Sequence, residues 1–261
     1  MKLEFSDAYI KMQRTPLCYN VPTIFLEVPR CNLLCKRICN DKCAKYCDFT
    51  DKIPENEKLG FISTDFVKKL IYDHSVVKHI FICGGEPLLY KEELEKFLND
   101  IWRDDMHITI QTNGTLPILN PLSYKYRIER YIVNLAEKET PLPGDIFAGR
   151  DGTMTVLGTK DIQELEPIRI HNLKNLCMYS ADYLLCFGTR NLKNLNKYTE
   201  NVLRQIELDN DEFVQNFLEK HSVRNKIAFS PTSEGQVNSL YKMCIDKGVP
   251  FYDTRCYRYP R

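Results

Sequence analysis

The sequence predicts an α/β fold with a parallel sheet, and three observations carry that expectation. Short runs rich in β-branched and apolar residues alternate with amphipathic helical stretches along the 261 residues, the pattern of βαβ units. Hydrophobic residues make up 43% and charged residues 27%, with only 11 glycines and 13 prolines, which excludes a disordered or collagenous chain. No compositional break marks a linker, so residues 1–261 read as a single domain, with a core at about 20–235 and a C-terminal tail at about 248–261.

Taken in order, the expected strands are 23–28 (TIFLEV), 78–83 (KHIFIC), 107–111 (HITIQ), 131–135 (YIVNL), 153–157 (TMTVL), 183–187 (YLLCF) and 226–229 (KIAF). Each is a short run of residues that suit a pleated, buried surface. Between them, Ser63 is an N-cap candidate for a helix whose face is Phe66, Val67, Leu70 and Ile71. In KEELEKFLNDIW, Leu94, Phe97, Leu98 and Ile101 recur at helical spacing. Phe213, Val214, Phe217 and Leu218 form another stripe, and Val237, Leu240, Tyr241, Cys244 and Ile245 a last one. The stretch from about 141 to 195 is the least regular, and its periodicity places no helix.

Charge excludes some partners. Lys and Arg number 36 against 35 Asp and Glu, so no bulk field attracts nucleic acid or an anionic membrane. The N-terminal segment lacks the apolar stretch of an export signal, and no run approaches the roughly 18 apolar residues of a membrane span. The expectation is a soluble, cytoplasmic protein.

Cysteine is the anomaly. Five of the 11 cysteines stand at positions 31, 35, 39, 43 and 47, among Lys, Arg, Asn and Asp. In a reducing compartment such a cluster reads as metal or Fe–S ligation. Cys83, Cys177, Cys186 and Cys244 sit singly among apolar neighbours, as small buried hydrophobes do. Three thiolates can hold three irons of a [4Fe–4S] cluster and leave the fourth open to chelate a cofactor.

Further motifs fall at strand ends, where α/β folds bind ligands. Gly84-Gly85-Glu86-Pro87 follows the second expected strand, Thr112-Asn113-Gly114-Thr115 the third, and Ser230-Pro231 the last. The glycines admit a ligand close to the backbone, Glu86 offers a carboxylate to an amine, and Pro87 fixes the turn.

CNLLC and YCD after the first strand, then GGEPLLY, then TNGT, resemble the radical S-adenosylmethionine (radical SAM) superfamily. The resemblance covers about residues 20–235, with specific motifs in the first half. It implies a partial (β/α)6 barrel with an enlarged cluster-binding loop, a [4Fe–4S] cluster, S-adenosylmethionine, and an electron donor such as flavodoxin or ferredoxin. The usual C-x3-C-x2-C triad is not intact, since Cys43 and Cys47 are separated by three residues. An insertion between the second and third ligands gives Cys31, Cys35 and Cys47, and the rival set is Cys31, Cys43 and Cys47. By the same resemblance, Gly84, Gly85, Glu86 and Pro87 meet the methionine amino group, and Asn113 and Ser230 flank the carboxylate or ribose.

Within the superfamily, the wording around Cys47-Asp48-Phe49-Thr50, GGEPLLY and TNGT most resembles 7-carboxy-7-deazaguanine synthases, on the route to queuosine. That implies a small carboxylated pterin as substrate and Mg²⁺ near Thr50, although Phe49 interrupts the family's pattern there. Glycyl-radical-enzyme activases and peptide-modifying radical enzymes share parts of these motifs. A zinc-binding interaction module is the non-enzyme alternative, though zinc hooks usually stand as two separated pairs. Arg255, Arg258 and Arg261 in the tail suit carboxylate recognition or are a frayed basic terminus. The five histidines form no ligand spacing.

Overall fold

A computed structural model describes residues 3–15, 18–29, 61–119, 126–136, 146–148, 154–156, 162–179, 182–188, 192–208, 214–216, 223–230 and 236–252. Eleven strands are numbered in chain order: β1 (Glu4–Phe5), β2 (Asp7–Thr15), β3 (Cys18–Val28), β4 (Ile62–Ser63), β5 (His79–Gly84), β6 (His107–Thr112), β7 (Ile128–Ala136), β8 (Ile146–Ala148), β9 (Met154–Val156), β10 (Tyr183–Gly188) and β11 (Ile227–Phe229). The helices are α1 (Thr64–Asp73), α2 (Lys91–Ile101), α3 (Ile162–Tyr179), α4 (Leu192–Glu207) and α5 (Val237–Lys247). Seven strands form one sheet in the order β11-β10-β7-β6-β5-β3-β2. The six from β3 to β11 are parallel, and β2 lies antiparallel on β3 at the edge. This is the α/β, six-parallel-strand architecture the sequence predicts.

The edge hairpin β2–β3 was not legible in the sequence. Its ladder slips one residue between Gln13 and Arg14, and Asn20 takes up the slack at φ 59°, a left-handed conformation that Asn tolerates better than most residues. The 153–157 run is a strand, but β9 pairs antiparallel with β8 in a separate two-stranded sheet. It is no member of the parallel sheet.

Helices cover one face of the sheet. Ser63 caps α1, its hydroxyl accepting from Phe66 N at 3.3 Å, and Val67 and Ile71 are buried. Phe66 is 55% exposed and does not share that face. In α2 the four expected residues, Leu94, Phe97, Leu98 and Ile101, are all buried. In α5 only Leu240 and Cys244 are buried, while Tyr241 and Ile245 face outward. Helix α3 carries Pro167, and α4 buries Leu195, Thr199, Val202, Leu203 and Ile206. The Phe213–Leu218 stripe falls mostly outside the described residues.

Strand alternation sorts the sheet's side chains. Ile24, Leu26, Val28, Ile80, Ile82, Ile108, Ile110, Val133 and Leu185 pack against the helices. The opposite, inner face carries charged residues, an apolar cluster and polar residues along the strands. At the amino ends of the strands stand His79 and His107, stacked at 4.5 Å, and Arg130 and Lys226, both on Asp182 at 2.8 Å. Above them Phe25, Phe81, Ile132, Leu184 and Ala228 make an apolar plug with Tyr252. Two residues further along their strands Cys83 and Cys186 still belong to that cluster, while Glu27, Gln111, Asn134 and Ser230 are polar.

Candidate active site

Each carboxyl-end segment is held by a specific contact. Gly84 pairs with Val28 in the β3–β5 ladder. A Cβ on Gly84 would lie 2.5 Å from Val28 O and 2.7 Å from Val28 N, and its φ is +99°, so no other residue fits there without moving the backbone. Gly85 N then donates to Val28 O at 2.8 Å. The Gly-Gly pair is thereby locked onto the last residue of the strand that leads into the cysteine segment.

Glu86 turns inward. Its residue has zero exposure. Oε1 accepts from Leu88 N at 3.0 Å and from the Thr112 hydroxyl at 2.9 Å, and Oε2 accepts from Asn113 N at 2.7 Å. Pro87 opens the 3₁₀ turn that Glu86 caps. Burial pushes the Glu86 carboxyl up to about 7, against the Asn113, Leu88 and Thr112 hydrogen bonds that pull it down. The side chain therefore ties the end of β5 to the end of β6, where the sequence alone suggested direct contact with an amine.

Asn113 is turned by its own loop. Its Oδ1 accepts from Thr115 N at 2.9 Å and from the Thr115 hydroxyl. Gly114 has φ +75°, and a Cβ there would meet Val133 Cγ1 at 2.9 Å. Ser230 N donates to Phe187 O at 2.8 Å, which prolongs the β10–β11 pairing by one residue. Gly84, Gly85, Glu86, Pro87, Asn113 and Ser230 thus all stand at the carboxyl edge of one sheet, as the motif positions predict. Cys31, Cys35, Cys39, Cys43, Cys47, Thr50 and the tail from 253 lie outside the described residues. Among the described residues, no group of three His, Cys, Asp or Glu side chains could hold a metal ion.

Residues 33–137 match the radical SAM superfamily. A 7-carboxy-7-deazaguanine synthase of Methanospirillum hungatei is 27% identical over 117 residues, which are 44% of this chain and 44% of that protein. The chain thus spans less than half the length of this relative. A 7-carboxy-7-deazaguanine synthase of Koribacter versatilis is 21% identical over 233 residues, 88% of this chain and 77% of the relative. The crystal structure of QueE from Escherichia coli superposes with a TM-score of 0.50 at 14% identity, covering 96% of this chain and 93% of that one; it shares the fold. The similarity points to chemistry with a [4Fe–4S] cluster and S-adenosylmethionine, which that superfamily uses. No described helix is long and apolar enough to cross a membrane.

Sequence reasoning passed over four polar residues beside this edge. Glu27, Gln111 and Asn134 lie on the inner face, two residues beyond Phe25, Thr109 and Ile132 on their strands. Arg169 of α3 is 3% exposed, and its Nη2 donates to Asn134 O at 3.1 Å. Isolated polar residues inside apolar strands give no motif; only the alternation, once the strands are known, assigns them to the chamber side.

Proposed function

We propose that this radical SAM enzyme acts on a small nitrogen heterocycle, as the 7-carboxy-7-deazaguanine synthases it resembles do. The observation that supports this reading is the convergence at one sheet edge of the Val28–Gly85 lock, the Glu86–Asn113 tie and Ser230. The residues present fit S-adenosylmethionine. Gly84 lies against the Val28 backbone with no room for a Cβ, which fixes the glycine turn as a backbone surface at the sheet edge, and the Glu86 carboxylate holds the neighbouring loop rigid.

In this reading Cys31, Cys35 and Cys47 ligate the cluster, or Cys31, Cys43 and Cys47 in the rival arrangement. Held there, the cluster and S-adenosylmethionine would supply the one-electron chemistry needed for hydrogen abstraction from the substrate. The chain's own part is positioning. Gly84, Gly85 and Pro87 shape that surface for the methionine end, Asn113 and Ser230 flank it, and the plug of Phe25, Phe81 and Ile132 closes the chamber from below against water. Thr50 would contribute an oxygen to Mg²⁺. A flavodoxin or ferredoxin supplies the electron, and the cytoplasm is the compartment where all of these meet.

The test is anaerobic reconstitution of the chain with iron and sulfide, reduction, and incubation with S-adenosylmethionine and 6-carboxytetrahydropterin. Expected are 5′-deoxyadenosine, ammonia and 7-carboxy-7-deazaguanine. Formation of 5′-deoxyadenosine without the deazapurine would retain the radical chemistry and reject this substrate. One zinc per chain in place of iron and sulfide would reject both.

A further inference from the structure

The inner face of the sheet changes character within one pleat. On β3 the step is from Phe25 to Glu27, on β7 from Ile132 to Asn134, and on β11 from Ala228 to Ser230, while Cys83 on β5 and Cys186 on β10 stay apolar. On β6 it runs from Thr109 to Gln111. The upper row is rich in oxygen acceptors. Glu27 stands opposite Asp7 in the β2–β3 ladder, so two carboxylate residues share one end of it. Gln111 Oε1 and Asn134 Oδ1 are buried and have no hydrogen-bond partner among the described residues. Gln111 stands opposite Ile132, and Asn134 one pleat further, opposite Cys186; an unpaired buried acceptor costs about 1–3 kcal/mol, so both are unfilled places for donors.

Glu27 is also aimed. Tyr9 donates its hydroxyl to Glu27 Oε1 at 2.8 Å, and the Tyr9 ring stacks on Phe25 at 5.3 Å. Burial, followed by the Glu27 charge, drives the Tyr9 phenol upward, so it stays a donor and fixes the carboxylate's orientation. On the inner face, the described cations Arg130 and Lys226 are both held by Asp182 at 2.8 Å, and Lys11 stands opposite Thr23. Arg169 reaches Asn134 through its backbone oxygen, from α3.

We propose that Glu27, Gln111 and Asn134 form the specificity row of the substrate chamber, and that they take the N–H-bearing edge of a planar heterocycle, an amidine-like or guanidine-like edge. A flat ring would lie on the apolar plug with its donors directed at the acceptors. Any carboxylate of the same substrate would face away from Glu27. This inference rests on the reading of the chamber as a small-heterocycle site, and it narrows which edge of the substrate the chain recognises.

The test uses the full chain, reconstituted anaerobically, and three probes measured by calorimetry or ligand-observed NMR. Isocytosine presents an amidine-like edge, 1,3-dimethyluracil has a similar ring without N–H groups, and benzoate is a planar anion. The wild-type chain is expected to bind isocytosine at least about tenfold more tightly than either control, and Glu27→Gln to lose about tenfold. Asn134→Leu is expected to weaken isocytosine and spare dimethyluracil. Equal binding of all three probes, or preference for benzoate, overturns the proposal even if a variant fails to fold. Competition between isocytosine and S-adenosylmethionine also overturns it, because the row would then belong to the cofactor. Formation of 5′-deoxyadenosine by the wild-type chain is scored separately. A chain that prefers isocytosine but forms none keeps the row and loses the radical reading.

Discussion

Glu86 reaches from the end of β5 to the backbone N–H of Asn113 at the end of β6, 2.7 Å away. The contact joins the two motif segments that the sequence shows separately, through a carboxylate with no solvent exposure.

Glu86→Gln places an amide where three donors converge, so at least one donor loses its acceptor. The expected loss is about 1.5–3 kcal/mol, the range for hydrogen bonds to a charged group. It should appear as a lower urea midpoint and as weaker binding of S-adenosylmethionine, measured by calorimetry. Unchanged stability would remove the tie from the account.

The same carboxyl gives stability a pH signature. Its folded value of about 7 lies above its ordinary 4.5, so the folded state holds the proton more tightly than the unfolded chain. The stabilisation is complete below pH 4.5 and is lost as the pH rises to about 7. At roughly 1.4 kcal/mol per pH unit, the swing is on the order of 3 kcal/mol. Urea unfolding from pH 4.5 to 8 should show this decline in wild type and a flatter profile in Glu86→Gln.

Gly84→Ala should be far worse than Gly248→Ala. At Gly84 the new Cβ meets backbone at 2.5 Å, whereas at Gly248 nothing lies within 4 Å. Both have positive φ, worth about 1–2 kcal/mol, so Gly248→Ala should lose about that much and Gly84→Ala clearly more. Thermal melting of the two variants checks this. Equal losses would mean that β3 and β5 part easily.

Cys31→Ala and Cys47→Ala should each abolish bound iron and sulfide, and so should Cys35→Ala. Cys39→Ala and Cys43→Ala should retain both. Loss in Cys43→Ala with retention in Cys35→Ala would select the rival ligand set.

Asp182 carries Arg130 and Lys226 at the opposite end of the strands. Burial pushes its carboxyl up, but the hydrogen bonds from Lys226 and Arg130 outweigh that and leave it below its ordinary 3.8. Its contribution is therefore present above pH 3.8 and is lost as the pH falls through the lower folded value. Asp182→Asn should lose about 1–2 kcal/mol at neutral pH. It should not change the affinity for S-adenosylmethionine, whose proposed site is at the other end of the sheet.

The parallel strands were legible because each is a short, apolar, β-branched run, and α2 because its four buried residues recur at regular spacing. The edge strand β2 was not, because DAYIKMQ alternates in the opposite sense to its burial: Gln13 is buried while Ile10 and Met12 are exposed. Helix α3 was obscured by Pro167 and by buried Arg169 and Asn172, and α4 by its asparagines, poor helix formers. Gly84, Gly85 and Pro87 declared themselves as a motif. The inward turn of Glu86 did not, because nothing local distinguishes a carboxylate that meets a ligand from one that ties two loops. Glu27, Gln111 and Asn134 need the sheet's alternation before they belong to any site.

The lock between Val28 and Gly85 also bears on how such a chain can vary. Whatever lies between Val28 and Phe61 starts from a strand end held by its neighbour, so lengthening that segment need not shift the glycines. A longer flexible loop costs little, about 0.6 kcal/mol per doubling of its length. Extra residues, cysteines included, can therefore be added within that stretch without moving the strand end, and spacing there is a poor guide to ancestry.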